Sequence, residues 1–338
     1  MSAPDVRAAV ERGARALGVD FPLIQAGMGG IAGPALAGAV SASGALGTVA
    51  LYKSDPGQAA ALVEDTARRT DRTFGVNVIP EVAGGLLAGQ VAAVLHRADR
   101  RITINSYGLP PQRTATAVTE AGHRLLVQVG SASDASAAAG LGADAVVLQG
   151  VEAGGHHLGT EPLRDLLARH GLDIPVFAAG AVSCGADLFD AVRGGASGAS
   201  CGTLFVATEE STAHPEYQQA LLRARPADTV VTDRYAIGWP GRPHRVLRGP
   251  VTDSPEPLPA TLIAWTTVMG DRRPVPRGSA AAPTVEATGR IAEMAQYAGL
   301  GCGAVTRREP AATVIARLRA EFAEALAAAV TPPAPAGR

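Results

Sequence analysis

Short apolar segments recur through the first 206 residues of this chain, separated by longer stretches with helical spacing, and that rhythm restricts the fold more than any other feature. The segments are Pro22–Ala26, Leu46–Ala50, Phe74–Val78, Ile102–Asn105, Leu125–Val129, Ala145–Gln149, Pro175–Ala179 and Ala199–Phe205, eight in all. Consecutive parallel strands need a covering crossover, usually a helix, so the alternation predicts an α/β chain of βα units. Eight units in succession favour closure, and the expected fold is a (β/α)8 TIM barrel. Such barrels typically take about 250 residues. The 338 present leave room for an inserted cap or lobe after the eighth strand.

Composition supports a buried parallel sheet and removes several function classes. Hydrophobic residues make up 47% and charged residues 18%, with few aromatics, so Ala, Val, Leu and Ile must build the core. A formal net charge of −1 provides no basic field for nucleic acid, and no Lys/Arg run is interleaved with aromatics. No 18-residue apolar run predicts a membrane span, and residues 1–18 read as a short amphipathic helix rather than a signal peptide, so a cytoplasmic protein is expected. Cys184, Cys201 and Cys302 lack metal-site spacing, and the histidines are scattered apart from His156 and His157, so no metal site is expected.

The barrel is expected over residues 1–206. Residues 207–285, with a helix expected at Pro215–Arg223 and then Pro- and Arg-rich segments that carry Trp239 and Trp265, read as an inserted helical or irregular lobe on the substrate side. Helical pattern returns from Val285 and at Ala311–Ala328, so residues 286–330 are expected to complete the barrel, with a disordered tail at 331–338.

The loop after the sixth strand carries the most chemistry. Gly150-Val151-Glu152-Ala153-Gly154-Gly155-His156-His157-Leu158-Gly159-Thr160 places two imidazoles among glycines that let backbone approach a planar ligand. A polar surface loop with locally bonded histidines is the bland alternative. Barrel chemistry sits at the C-terminal strand ends, often with a phosphate near strands seven and eight. Gly180 and the Gly202-Thr203 pair stand there, with a helix N-terminus after Ser183. Gln25-Ala26-Gly27-Met28-Gly29-Gly30-Ile31-Ala32 also fits a variant dinucleotide fingerprint, with Asp55 beyond the next strand, which keeps a doubly wound fold in competition. Asn77 and Gln128 are polar in apolar strands and are expected to face ligand, since a buried unpaired amide costs about 1–3 kcal/mol.

These segments together resemble the nitronate monooxygenase family, formerly the 2-nitropropane dioxygenases. The matching blocks are Pro22–Met28, Phe74–Asn77, Glu152–His156, Ala178–Gly180 and Gly202–Ser211, in the family's order. The resemblance implies an FMN-dependent barrel in which Ala26, Gly27, Met28, Asn77, Gln128 and Gly155 surround the flavin, and Gly180, Gly202 and Thr203 hold its phosphate. It implies that His156 is the catalytic histidine, assigned to substrate activation or proton transfer, with O2 reoxidising the cofactor.

The chain departs from the pattern. Many members read Ala-Pro-Met at Ala26-Gly27-Met28 and carry Gly where Ala181 stands, and Arg and Gly commonly occupy the places of His157 and Leu158. The expected activity is oxidation of a small alkyl nitronate to a carbonyl compound and nitrite. An NAD(P)H-dependent flavin reductase of enoyl thioesters or quinones, and a non-catalytic flavin-binding protein, remain open beside it. So do the roles of His157 and Tyr107, and a homodimer.

Overall fold

The computed structural model describes residues 2–256, 258–268 and 270–330. Eight parallel strands form one sheet: β1 (Leu23–Gln25), β2 (Thr48–Ala50), β3 (Gly75–Val78), β4 (Thr103–Tyr107), β5 (Arg124–Val129), β6 (Ala145–Gln149), β7 (Val176–Ala179) and β8 (Gly198–Cys201). They pair in the order β1-β8-β7-β6-β5-β4-β3-β2. A parallel bridge between Ile24 and Leu46 closes the circuit, with Leu46 N–H donating to Leu23 O and Gln25 N–H to Leu46 O, both at 2.9 Å. The fold is a TIM barrel, and the doubly wound alternative falls with it. Asp55 instead caps the helix Pro56–Arg69, accepting from Gln58 N–H at 2.9 Å.

Ile24, Leu46, Leu126, Val147 and Phe177 fill the lower barrel, and Leu17 joins them from the N-terminal helix Ala3–Leu17. That helix ends at Gly18, whose φ of +71° suits glycine and whose N–H bonds Ala14 O. The upper barrel is polar and belongs to the site.

The eighth strand is shorter than expected. It stops at Cys201, and Thr203–Val206 is a short helix that buries Leu204, Phe205 and Val206, because Gly202 (φ −105°, ψ −57°) has already turned the chain out of extended geometry. The lobe also differs. The helix Pro215–Arg223 is present, but residues beyond it form sheets. Thr229–Thr232 pairs with His244–Leu247, which pairs in turn with Gly155–His156 of the histidine loop. Leu262–Val268 pairs with Asp271–Pro276 and with Thr288–Gly289. β-Branched runs such as Thr229-Val230-Val231-Thr232 favour a pleated surface over a helix, and their neighbouring prolines conceal them in sequence. Helix does not return at Val285; short 3-10 turns at Ile291–Glu293 and Leu300–Ala304 precede the single helix Ala311–Val330, which packs between the helices Gly185–Arg193 and Pro34–Ala42. The expected tail at 331–338 lies outside the described residues. Among the described residues no helix is long and apolar enough to cross a membrane, and no three His, Cys, Asp or Glu side chains gather as a metal site would require.

Candidate active site

The histidine loop is held from three directions. Gly154 lies so close to Ala298 and Gly299 that a Cβ would come within 2.5 Å of Gly299 N, and Leu300 N–H donates to Glu152 O at 2.9 Å. The Glu152 carboxylate caps the helix Leu163–Arg169 by accepting from Leu163 N–H at 3.1 Å. From the lobe, the Arg245 guanidinium donates to Val151 O at 2.9 Å. Gly155, at φ +82°, then turns the chain so that His156 pairs with His244 as strand partners.

These constraints fix His156. Its carbonyl accepts from Gln149 Nε2 at 2.9 Å and from the Tyr107 hydroxyl, and its ring stacks on Trp239 with centroids 3.9 Å apart. His244 lies behind it, ring centroids 4.9 Å apart. Because His244 Nε2 accepts from Tyr235 N–H at 3.2 Å, its Nδ1 carries the proton and donates to Arg242 O at 3.0 Å. Burial, reinforced by His244, His157 and Arg242, holds the His156 imidazole down to about 3. It is neutral at physiological pH, and its Nε2 is buried with no hydrogen-bond partner among the described residues.

His157 diverges from its neighbour. Its Nε2 meets Ala153 O at 2.9 Å and its backbone N–H donates to Pro243 O at 2.8 Å. It is only 5% exposed, because the lobe strand covers it.

A pH dependence follows from these buried rings. Burial lowers His156, His157 and His244 alike. An unfolded chain titrates each near 6.5. Below that pH the unfolded state binds protons that the folded state refuses, so stability is full above about 6.5 and falls as the pH drops toward the folded values. Each such histidine contributes a slope of up to about 1.4 kcal/mol per pH unit within its window. The urea midpoint should therefore decline between about pH 7 and about pH 5; a midpoint that rises or stays level overturns the assignment of neutral buried rings.

All ten residues singled out from sequence line one cavity at the C-terminal mouth of the barrel: Ala26, Gly27, Met28, Asn77, Gln128, Gly155, His156, Gly180, Gly202 and Thr203. Gly27 is needed for space, since a Cβ there would lie 2.4 Å from Asn77 Cβ. The Asn77 side chain fills that space, and its Nδ2 donates to Asn105 O at 3.1 Å. After β7, Gly180 and Ala181 have φ of +139° and +54°, a turn that a glycine pair makes without strain and that Ala181 makes against its Cβ. Thr203 Oγ1 accepts from Gly299 N–H at 3.0 Å, which leaves its own proton free to donate.

The helix N-terminus after Ser183 is not open as expected. Asp187 Oδ2 already accepts from Ser183 N–H at 2.9 Å, Ser183 Oγ at 2.7 Å and Cys184 N–H at 3.1 Å. The Gly180-Ala181 turn and Gly202-Thr203 remain in the cavity lining beside β7 and β8. These residues suit a cofactor phosphate held by neutral N–H and O–H donors. Buried polar atoms without partners among the described residues, Ser200 Oγ and His156 Nε2 among them, give the remainder of such a group places to bond.

Several site residues escaped the sequence reading. Trp239, Tyr297, Tyr52 and Gln149 also line the cavity, and His244 backs it. Only Trp239 carried a signal, as a tryptophan in a Pro-rich segment.

The nitronate monooxygenase family model matches residues 11–84 and 80–321. The chain belongs to the nitronate monooxygenase family. It is accordingly an enzyme of the oxidoreductase class. It is 30% identical over 361 residues to a nitronate monooxygenase of Paraburkholderia phytofirmans, covering 92% of this chain and 94% of that one. It is 35% identical over 240 residues to the (3aS,4S,5R,7aS)-5-hydroxy-7a-methyl-1-oxo-octahydro-1H-indene-4-carboxyl-CoA dehydrogenase of Mycobacterium tuberculosis, a match over 69% of this chain that spans only 64% of that relative. Among solved structures, FabK from Thermotoga maritima superposes with a TM-score of 0.77 at 25% identity, covering 94% of this chain and 97% of FabK. Nitroalkane oxidase from Streptomyces ansochromogenes does so with 0.73 at 28%, covering 92% and 98%.

Proposed function

We propose that this chain is an FMN-dependent enzyme that oxidises a small alkyl nitronate to a carbonyl compound and nitrite, with O2 as the final oxidant. The carrying observation is a neutral His156, its Nε2 without a partner among the described residues, in the same cavity as the glycine-rich turns at Gly180 and Gly202. Ala26, Gly27, Met28, Asn77, Gln128 and Gly155 would border the ring and ribityl chain, and Gly180, Gly202 and Thr203 the phosphate. FMN, when bound, supplies two-electron acceptance.

The chain's own residues supply position and protons. Tyr107 and Gln149 fix the His156 backbone through its carbonyl, so the imidazole cannot swing with the loop. In its Nε2–H tautomer His156 donates a hydrogen bond to a nitronate oxygen, and its lowered basicity keeps the ring neutral while it does so. Trp239, stacked on that ring, keeps water from it.

Purified protein should be yellow and release FMN rather than FAD on denaturation, since among the described residues the lining shows one cradle for one terminal phosphate. Anaerobic mixing then tests the substrate: a nitronate should bleach the flavin. The CoA thioester named for the Mycobacterium tuberculosis relative keeps NAD(P)H-dependent reduction of enoyl thioesters or quinones as a second reading. Bleaching by NADH or NADPH and not by nitronates would select it. Bleaching by neither leaves a flavin-binding protein, and recovery of FAD, or of colourless protein that ignores FMN, overturns the cofactor.

A further inference from the structure

The donor nitrogen of His156 is closed off in this conformation. The residue is 6% exposed and its Nε2 is buried without a hydrogen-bond partner among the described residues, so what screens the imidazole from water screens it from substrate as well. Trp239 is the nearest cover. Its ring lies on the imidazole with planes 17° from parallel, and it packs with Ile79 and Ala280 beside Tyr52 and Tyr107. Part of this cover must move before His156 can meet a ligand.

The segment that carries Trp239 has anchored ends and a hinged middle. On one side Ile237 N–H donates to Gly278 O and Ile237 O accepts from Ala280 N–H, both at 2.9 Å. On the other, Pro243 O accepts from His157 N–H at 2.8 Å and His244 enters its strand. Between these anchors Gly238 and Gly241 stand at φ +95° and +76°, a region open to glycine, on either side of Trp239-Pro240. Two barrel side chains grip this span. Lys53, the only lysine in the chain, donates from Nζ to Gly238 O at 3.1 Å, and Glu81 pairs with Arg242 Nε at 3.0 Å.

Both grips come from fixed ground. Lys53 follows Tyr52, and Gln90, a buried side chain of the helix Leu87–Arg97, donates to Tyr52 O at 3.2 Å and to Ser54 O at 2.7 Å, tying down the backbone on both sides of it. Glu81 stands in the helix Pro80–Ala83, whose N-cap Ile79 belongs to the same buried cluster as Trp239. The ion pair is part exposed, and such pairs are weak and loosened by salt. Rigid barrel loops thus hold a hinged span by two breakable bonds.

Resting on the role given to His156 above, we propose that residues 238–242 form a lid, hinged at Gly238 and Gly241 and closed in this structure, and that Lys53 and Glu81 are positioning residues that latch it. Opening admits substrate to His156. Closure over the bound molecule brings Trp239 back, excludes water and sets the imidazole for reaction.

Acrylamide quenching reads the lid without turnover. In flavin-loaded protein carrying Trp265→Phe, a change at an exposed position outside the cavity, Trp239 is the remaining tryptophan. Adding Lys53→Gln with Glu81→Gln to this parent should raise the quenching constant about threefold or more, and should lower the limiting rate of anaerobic flavin reduction by propane-2-nitronate about as much, because the closed fraction falls. Lys53→Arg keeps a donor for Gly238 O, and Glu81→Arg with Arg242→Glu re-forms the pair with its charges exchanged; each should stay within about twofold of the parent in both readings. Raising NaCl from about 0.02 M to about 1 M should increase quenching in the parent and not in Glu81→Gln. A double variant within about 1.5-fold of the parent in quenching overturns the latch, and an opened lid with an unchanged reduction rate overturns the positioning role. If the double variant loses its flavin, the salt series decides, and a parent that ignores salt overturns the proposal. Bleaching by NADH in place of the nitronate fails the nitronate reading alone, since the quenching series uses neither.

Discussion

Replacing His156 with asparagine is expected to slow anaerobic flavin reduction by a nitronate about 10²–10⁴-fold, the range that a positioned acid–base group contributes, while FMN stays bound. The loop keeps its shape in this variant, because Tyr107 and Gln149 hold the backbone carbonyl and not the ring. His157→Asn should instead act on stability. It removes the bond to Ala153 O, worth about 0.5–1.5 kcal/mol net, and leaves the cavity wall intact. The nitronate must be supplied preformed, since its carbon proton is then already gone and the histidine is read only for its work on the anion. With the His156 ring held down to about 3, kcat/KM should show no inflection from this residue near 6.5 in the free enzyme. A larger rate loss from His157→Asn, or wild-type rates in both variants, would remove His156 from the catalytic role.

How much of this was readable beforehand follows from the range over which each feature is encoded. The barrel was legible because each βα unit declares itself within a few dozen residues. Its candidate site residues were legible because they stand at strand ends or in the loops just after them, which a barrel gathers at one mouth. Gly155 and Gly180 are set by local backbone, both at positive φ. The strand pairing of His156 with His244 is different: nearly ninety residues separate the partners, and neither sequence segment shows the other. The same distance hid the Trp239 stack. Local pattern also misled at Ser183, where an apparent helix N-terminus for an anion is occupied by Asp187, the residue three past the N-cap. A carboxylate at that helix position competes for the same N–H groups as any ligand would.

Gly180→Asp is expected to abolish flavin retention while far-UV circular dichroism stays close to wild type. The position has φ +139°, which residues with a Cβ rarely adopt, so the substitution forces the turn after β7 to rearrange at a cost of about 1–3 kcal/mol. A Cβ built there would lie 3.3 Å from Ala153 N and 3.5 Å from Glu152 Oε2, so the new carboxylate starts beside an existing one. It also stands where neutral backbone donors would meet a phosphate dianion, and no cation in the lining offsets the repulsion. Gly180→Ala separates the two effects: it keeps the strain without the charge and should retain part of the flavin. The core survives either change because the residue sits past the end of its strand, above the Phe177 and Val147 layer that fills the barrel. Full FMN occupancy in the Asp variant would mean that the phosphate lies elsewhere. Equal and complete loss in both variants would mean that the shape of the turn decides retention and that charge adds nothing to it.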